Sequence, residues 1–353
     1  MKLKDVLKPL RKMAPESTAE AWDNVGLQIG DKEQIINKAL LTVDITDSCL
    51  EEAREKGCEL IISHHPLIFK PLKNLTTSDY IPRLVSKAIK QGLAIYAMHT
   101  NLDLAEKGVN RALGDVLGLK RGRGLVPSGY KEYVKLITFV PITEIASIRE
   151  ALWTQEAGFI GNYDHCAFET IGTGRFRPLK GTNPYLGTIG KDEEVEEIRL
   201  ETIINKEKYL DLIEQIKKIH PYEEPVIDVY PLAYPKESRY LGEFINLETP
   251  VNLEILLNRW GKKALFYGSK DEFKRIAILG GSGSIGVEFA LKNKSDLFIT
   301  GELDYHELIQ AREEGLSILL LGHGASEAPV LNNLLEIMPI EAQIAAKPYL
   351  VTL

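Results

Sequence analysis

Seven histidines occur among the 353 residues, and two of them, His64 and His65, are adjacent at the end of the apolar run 59–63 (ELIIS). Imidazole is the commonest protein ligand for divalent metals, and two bulky polar rings at the end of a buried run need partners. Asp103 follows the next apolar run, in the segment HTNLD that also holds His99 and Asn101. Far along the chain, His323 follows the run SILLLG, and Glu327 comes four residues later. That spacing is one helical turn, so the two side chains share a face. A lone strand-end histidine is more often simply hydrogen-bonded; the adjacent pair and the HxxxE spacing carry the metal reading. Three imidazoles and two carboxylates suit Zn, Fe, Mn, Co or Ni, with no thiolate to force zinc. Five such ligands exceed the roughly three of one open catalytic zinc site. They fit two divalent ions about 3.5–4 Å apart that share a carboxylate.

Residues so distant in sequence must be delivered by a shared framework. Short apolar runs at 39–43, 59–63 and 93–98 alternate with helical patterns at 4–13, 48–56, 81–91 and 108–117. Buried apolar strands interleaved with amphipathic helices predict a parallel sheet covered on both faces. Sites in such sheets form beyond the carboxyl ends of the strands, where the candidate ligands fall. Between 133 and 230 the order becomes β-α-β-β-α-β, the split ferredoxin-like unit. The α/β pattern then resumes with strands at 276–279, 297–300 and 318–321. The expectation is a discontinuous α/β domain, 1–125 plus 236–353, interrupted by an α+β insert at 127–233.

Composition excludes several alternatives. Apolar residues make up 44 % and charged residues 26 %, values of an ordinary globular chain. The net charge of -7 argues against general nucleic-acid binding, which needs surplus Lys and Arg on one face. Cys49, Cys58 and Cys166 form no metal-ligand spacing and read as reduced thiols of a cytoplasmic protein. The charged amphipathic start and the lack of about 18 consecutive apolar residues predict neither a secretory signal nor a membrane span.

The motifs WDNVGLQIG (22–30), SHHP (63–66), HTNLD (99–103), TGEL (300–303) and GHGASE (322–327), in this order, resemble the Nif-three-like dinuclear metal proteins. That family is also labelled GTP cyclohydrolase 1 type 2 homologues. The insert, with HPYEEP at 220–225, resembles the PII- or CutA-like module of its longer bacterial members. The resemblance implies a layered α/β fold and two divalent ions on His64, His65, Asp103, His323 and Glu327. It also implies a ring-shaped homohexamer and GTP ring-opening hydrolysis as the family-derived activity. The expected function is a metal-dependent hydrolase acting through a metal-bridged water on a nucleotide or related phosphorylated small molecule. The alternative is a non-catalytic metal carrier or regulatory scaffold.

Around this set lie further polar residues. Asp23, Asn24, His99 and Glu302 read either as supports of metal ligands or substrate contacts, or as caps and turn residues. Glu302, just past a strand end, is the candidate general base. Gly281, Gly283 and Gly286 offer either anion-binding amides at a helix start or a tight turn that needs glycine. His165, His220 and His306 read as structural or surface residues, and Glu223-Glu224 as a solvated turn.

Overall fold

The computed structural model describes residues 1–234 and 237–350, so the expected boundary at 236 and the end of the chain at 351–353 lie outside the described residues. The chain forms two compact units, Met1–Ser128 with Arg239–Leu353, and Gly129–Ser238. Its fold is mixed α/β, a discontinuous layered unit interrupted by a ferredoxin-like one.

The larger unit holds two sheets. In the first, strands Leu60–Ser63 and Lys38–Thr42 lie centrally and Ala94–Ala97 and Glu341–Ile344 beside them, all parallel, with Gly26–Ile29 antiparallel at one edge. Successive residues of the inner strands enter opposite cores. Leu41, Ile62 and Tyr96 pack under helices Leu3–Met13 and Val330–Ile337, whereas Leu40, Ile61 and Ile95 pack with residues of Asp47–Glu55 and Tyr80–Lys90. Both faces are covered, which is why these strands read as unbroken apolar runs. The second sheet has Glu272–Ser282, Leu297–Glu302 and Ser317–Leu320 parallel at its centre. Leu265–Tyr267 flanks them on one side, Glu237–Asn252 and Arg123–Lys131 on the other. Its faces are likewise divided, with Ile276, Ile278 and Ile299 on one core and Ala277, Leu279 and Phe298 on the other.

The smaller unit has four antiparallel strands in the order Ala167–Phe176, Glu193–Asn205, Tyr133–Pro141, Ile227–Pro231. Helices Ile145–Thr154 and Tyr209–Ile219 close its core over Leu136, Ile198 and Leu200. Among the described residues, no helix is long and apolar enough to cross a membrane.

Candidate metal centre

The polar groups of interest cluster at the carboxyl ends of parallel strands, in the last strand residue, the residues just past it or the short helix that follows. His64 and His65 follow Leu60–Ser63, and their amides extend the ladder to the Thr42 and Val43 carbonyls (3.0 and 2.9 Å). Asp44 lies just past Lys38–Thr42, and His99 just past Ala94–Ala97. Asp103 closes the one-turn helix Thr100–Asp103. In the second sheet, Glu302 ends its strand, and His323 opens the short helix His323–Glu327.

These elements bring all five predicted ligands together around Glu327, which is 4 % exposed. Its Oε1 lies 3.1 Å from His323 Nε2 and 3.6 Å from His64 Nε2, and its Oε2 lies 3.3 Å from His65 Nε2. Asp103 Oδ1 is 3.7 Å from His64 Nε2. One carboxylate is thus flanked by three imidazoles, with the second carboxylate on the His64 side. His99 joins them, its ring centre 5.3 Å from that of His64 and 5.5 Å from that of His65. Among the described residues, two groups have metal-ligating spacing, His64, His65 and His99, and His65, His323 and Glu327; Asp103 belongs to neither.

The far side of every ring is held. His64 Nδ1 donates to the Met98 carbonyl (2.8 Å), His65 Nδ1 to Asp44 (2.7 Å), His99 Nδ1 to Asp23 (2.9 Å) and His323 Nδ1 to Glu302 (2.9 Å). Acceptors at Nδ1 fix the tautomer of the neutral rings, so Nε2 is the atom that each turns to the site. His64 Nε2 and Glu327 Oε2 are buried and have no hydrogen-bond partner. Buried polar atoms without partners are costly, and a divalent cation among them would satisfy both. The donor set therefore fits metal.

Electrostatics point the same way. Burial alone would raise the Glu327 pKa, but His64, His323 and His65 hold it well below the usual carboxylate range. Burial pushes His65 down, yet Asp44 and Glu327 outweigh it and lift the ring to about 10. Hydrogen bonding to Glu327 leads in raising His323 to about 9. Burial raises the Asp103 carboxyl. Without metal, the anionic cluster draws protons onto its imidazoles, the behaviour of a site that demands positive charge.

Sequence reasoning missed Asp44 as the residue that orients His65. The signal was available: it is a carboxylate just past a buried strand, as Glu302 is. Asp23 does more than cap a turn. It accepts from His99, from Thr100 N (3.0 Å) and from Thr100 Oγ1 (2.5 Å); burial opposes its charge, but these donors bring its pKa to about 2. Asn24 instead ties its loop to the Ile68 carbonyl. Outside the cluster, His165 stacks on Trp153 (4.6 Å), His306 is exposed beside Tyr305, and His220 is held by the Phe139 carbonyl (3.1 Å).

The glycine turn turns out to serve close approach. The Gly281 amide donates to Ser326 Oγ (2.9 Å), Gly283 to the Glu302 carbonyl (3.0 Å) and Gly286 to the Gly283 carbonyl (2.7 Å), so these three are engaged within the protein. Gly281 has φ +66°, and a Cβ there would lie 2.4 Å from Glu327 Oε1. A Cβ on Gly301 would lie 2.6 Å from Ser326 Oγ and 2.9 Å from His323 Cα. Both glycines let helix His323–Glu327 settle onto the sheet end. Gly281→Ala is therefore expected to displace Glu327 and weaken metal affinity by about 10–100-fold, the usual range for disturbing a ligand's support. Metal titration with a competing chelator checks this, with circular dichroism as the control for folding.

An α/β framework that gathers imidazoles and carboxylates at its strand ends defines the class: a protein with a built, histidine-rich candidate metal centre. The chain matches the model of the Duf34/NIF3 (NGG1p interacting factor 3) family over residues 1–347, and it belongs to that family. Its relatives include proteins named GTP cyclohydrolase 1 type 2 homolog from Halalkalibacterium halodurans (39 % identical, 91 % of this chain and 88 % of the relative) and Bacillus subtilis (36 %, 91 % and 88 %). The crystal structure of a Bacillus cereus protein related to NIF3 superposes with a TM-score of 0.81 at 33 % identity, covering 100 % of this chain and 99 % of that one.

Proposed function

We propose that this protein holds two divalent ions on His64, His65, Asp103, His323 and Glu327, and that it is a hydrolase of nucleotides or related phosphorylated small molecules. One observation carries the reading: Glu327 presents one oxygen towards His64 and His323 and the other towards His65, the disposition a bridging carboxylate requires. The five side chains would hold the ions jointly, with His99 a further nitrogen donor beside His64 and His65. Bound divalent ions supply Lewis acidity and a water nucleophile at neutral pH. The chain's residues supply the rest. Met98, Asp44, Asp23 and Glu302 hold the rings by Nδ1–H and turn each Nε2 towards the site, where it would ligate once a metal displaces its proton. His64 and Glu327 are buried, while His65, Asp103 and His323 are partly exposed, so a substrate could approach from one side.

The names of the relatives support hydrolysis of a nucleotide ring; they are the source of that part of the proposal. Glu302 spends Oε1 on His323, and its side chain is 58 % exposed, which leaves its second oxygen able to move a proton at the reaction face. Glu302→Gln should lower turnover by about 10²–10⁴-fold with metal content retained, the range for loss of a general base. The assay compares metal-loaded and chelated protein across nucleotides and phosphoesters, with metal measured on the same preparation. Unchanged turnover in Glu302→Gln at full occupancy would remove Glu302 from the chemistry. Failure of the loaded protein to turn over any of these substrates would favour a metal carrier or regulatory scaffold. The family resemblance further supports a homohexamer, which light scattering of the full chain tests by its mass.

A further inference from the structure

The smaller unit contains a second built feature, formed entirely by its own residues and unrelated to the metal cluster. On the sheet face opposite its two helices lies a cavity of about 390 Å³, within the size range of small-molecule sites. Four aromatic rings line it: Phe139, Phe176, Tyr185 and Tyr222. The Gly/Pro-rich loop between strands Ala167–Phe176 and Glu193–Asn205 covers it. That loop is closed on itself, Gly190 N donating to the Pro178 carbonyl at 2.7 Å. It is also tied to the HPYEEP segment, through Asn183 N to Glu223 (2.9 Å) and the Tyr185 ring 6.2 Å from that of Tyr222. Compact loops packed this way are frequently functional.

The cavity's floor carries Glu197, which is 7 % exposed. Tyr222 donates its hydroxyl to Glu197 Oε1 at 2.6 Å. His220 orients Tyr222, its Nδ1 accepting from the Tyr222 amide (3.1 Å) while Nε2 is used on the Phe139 carbonyl. The other carboxylate oxygen occupies space that exists because residue 174 is glycine: a Cβ there would lie 2.1 Å from Glu197 Oε2. Among the described residues, Glu197 has no ion pair. Of the nearby cations, Arg175, which also lines the cavity, pairs with Glu194, and Arg199 pairs with Glu201 (2.7 Å) and lies over the Phe139 ring (5.7 Å). A buried carboxylate with no cationic partner is expensive, and aromatic faces attract cations. Glu223 and Glu224 at the rim add negative charge.

We propose that this cavity binds a small organic cation, an alkylammonium whose charged head meets Glu197 and whose apolar body lies against the four rings. A bare divalent ion would need more oxygen ligands than one buried carboxylate and would gain little from an aromatic lining. The proposal gives the HPYEEP motif a role: His220 sets Tyr222, Tyr222 holds Glu197, and Glu223 anchors the covering loop.

The test uses the full-length protein and ligand-observed NMR titration with choline, with butylamine, and with 3,3-dimethyl-1-butanol, the uncharged isostere of choline. The expected result is binding of at least one ammonium at about 0.1–1 mM, consistent with ligands of this size. The neutral alcohol should bind at least tenfold more weakly. Glu197→Gln should lose about tenfold in ammonium affinity. Tyr185→Leu, on the covering loop, should weaken binding severalfold without loss of fold, and it keeps the test decisive if Glu197→Gln does not fold. Absence of binding by both ammonium probes at 10-fold above that range, or equal binding of choline and its neutral isostere, would overturn the proposal.

Discussion

Glu327→Gln is expected to reduce the metal content of the purified protein from two ions per chain to less than one. The amide removes the negative charge flanked by His64, His65 and His323 and leaves only one oxygen able to ligate. Disturbing residues that merely support ligands costs about 10–100-fold in affinity, so loss of a shared ligand should exceed about 100-fold. The same change removes the anion that holds His65 near 10 and His323 near 9, so both should return toward ordinary histidine values. Elemental analysis and histidine NMR titration of one preparation read the two effects together. Full occupancy in a folded Glu327→Gln protein would contradict the shared-carboxylate reading.

Metal-free protein is expected to lose stability between about pH 6.5 and pH 10, while loaded protein does not. The sign follows from the raised histidines. A ring with a folded pKa above its unfolded value stabilises the fold fully below the unfolded value, and that stabilisation is lost as pH rises through the folded one. For His65 the window runs from 6.5 to about 10, and for His323 from 6.5 to about 9. Both rings face Glu327, so their contributions are shared, and the total loss is on the order of several kcal/mol. In loaded protein the metal takes the place of the proton. Metal binding at neutral pH should therefore release protons, and apparent affinity should rise with pH. Thermal melts of chelated and loaded protein at pH 6, 8 and 10 check this. A gap between the two melting temperatures that narrows as pH rises would contradict it.

The parts of this site that could be read in the sequence are those that end buried parallel strands. Leu60–Ser63 and Ser317–Leu320 are covered on both faces, so each reads as an apolar run, and the polar residues just beyond stand out. Partners that act through a backbone atom leave no such mark, and the Met98 carbonyl behind His64 has none. Asp44 was visible but unremarkable, because one carboxylate after ALLTV resembles a turn residue.

The edge strand of the second sheet and its neighbour were harder to read. Arg123–Lys131 contains Pro127 and Gly129, which argue against a central strand but are tolerated at the sheet edge it occupies. Glu237–Asn252 mixes charges with Gly242 at φ +70° and shifts register between Asn246 and Val251, which blurs its alternation. Gly281, Gly283 and Gly286 admitted either anion-binding amides or a tight turn, yet Gly281 is explained by the approach of Glu327. Spacing alone could not separate those causes, since both demand glycine.

The central claim is that these five side chains hold a pair of ions, and metal stoichiometry tests it most directly. Protein purified without chelators, gently loaded and freed of excess metal should carry close to two divalent ions per chain by elemental analysis. One ion or fewer per chain would contradict the account.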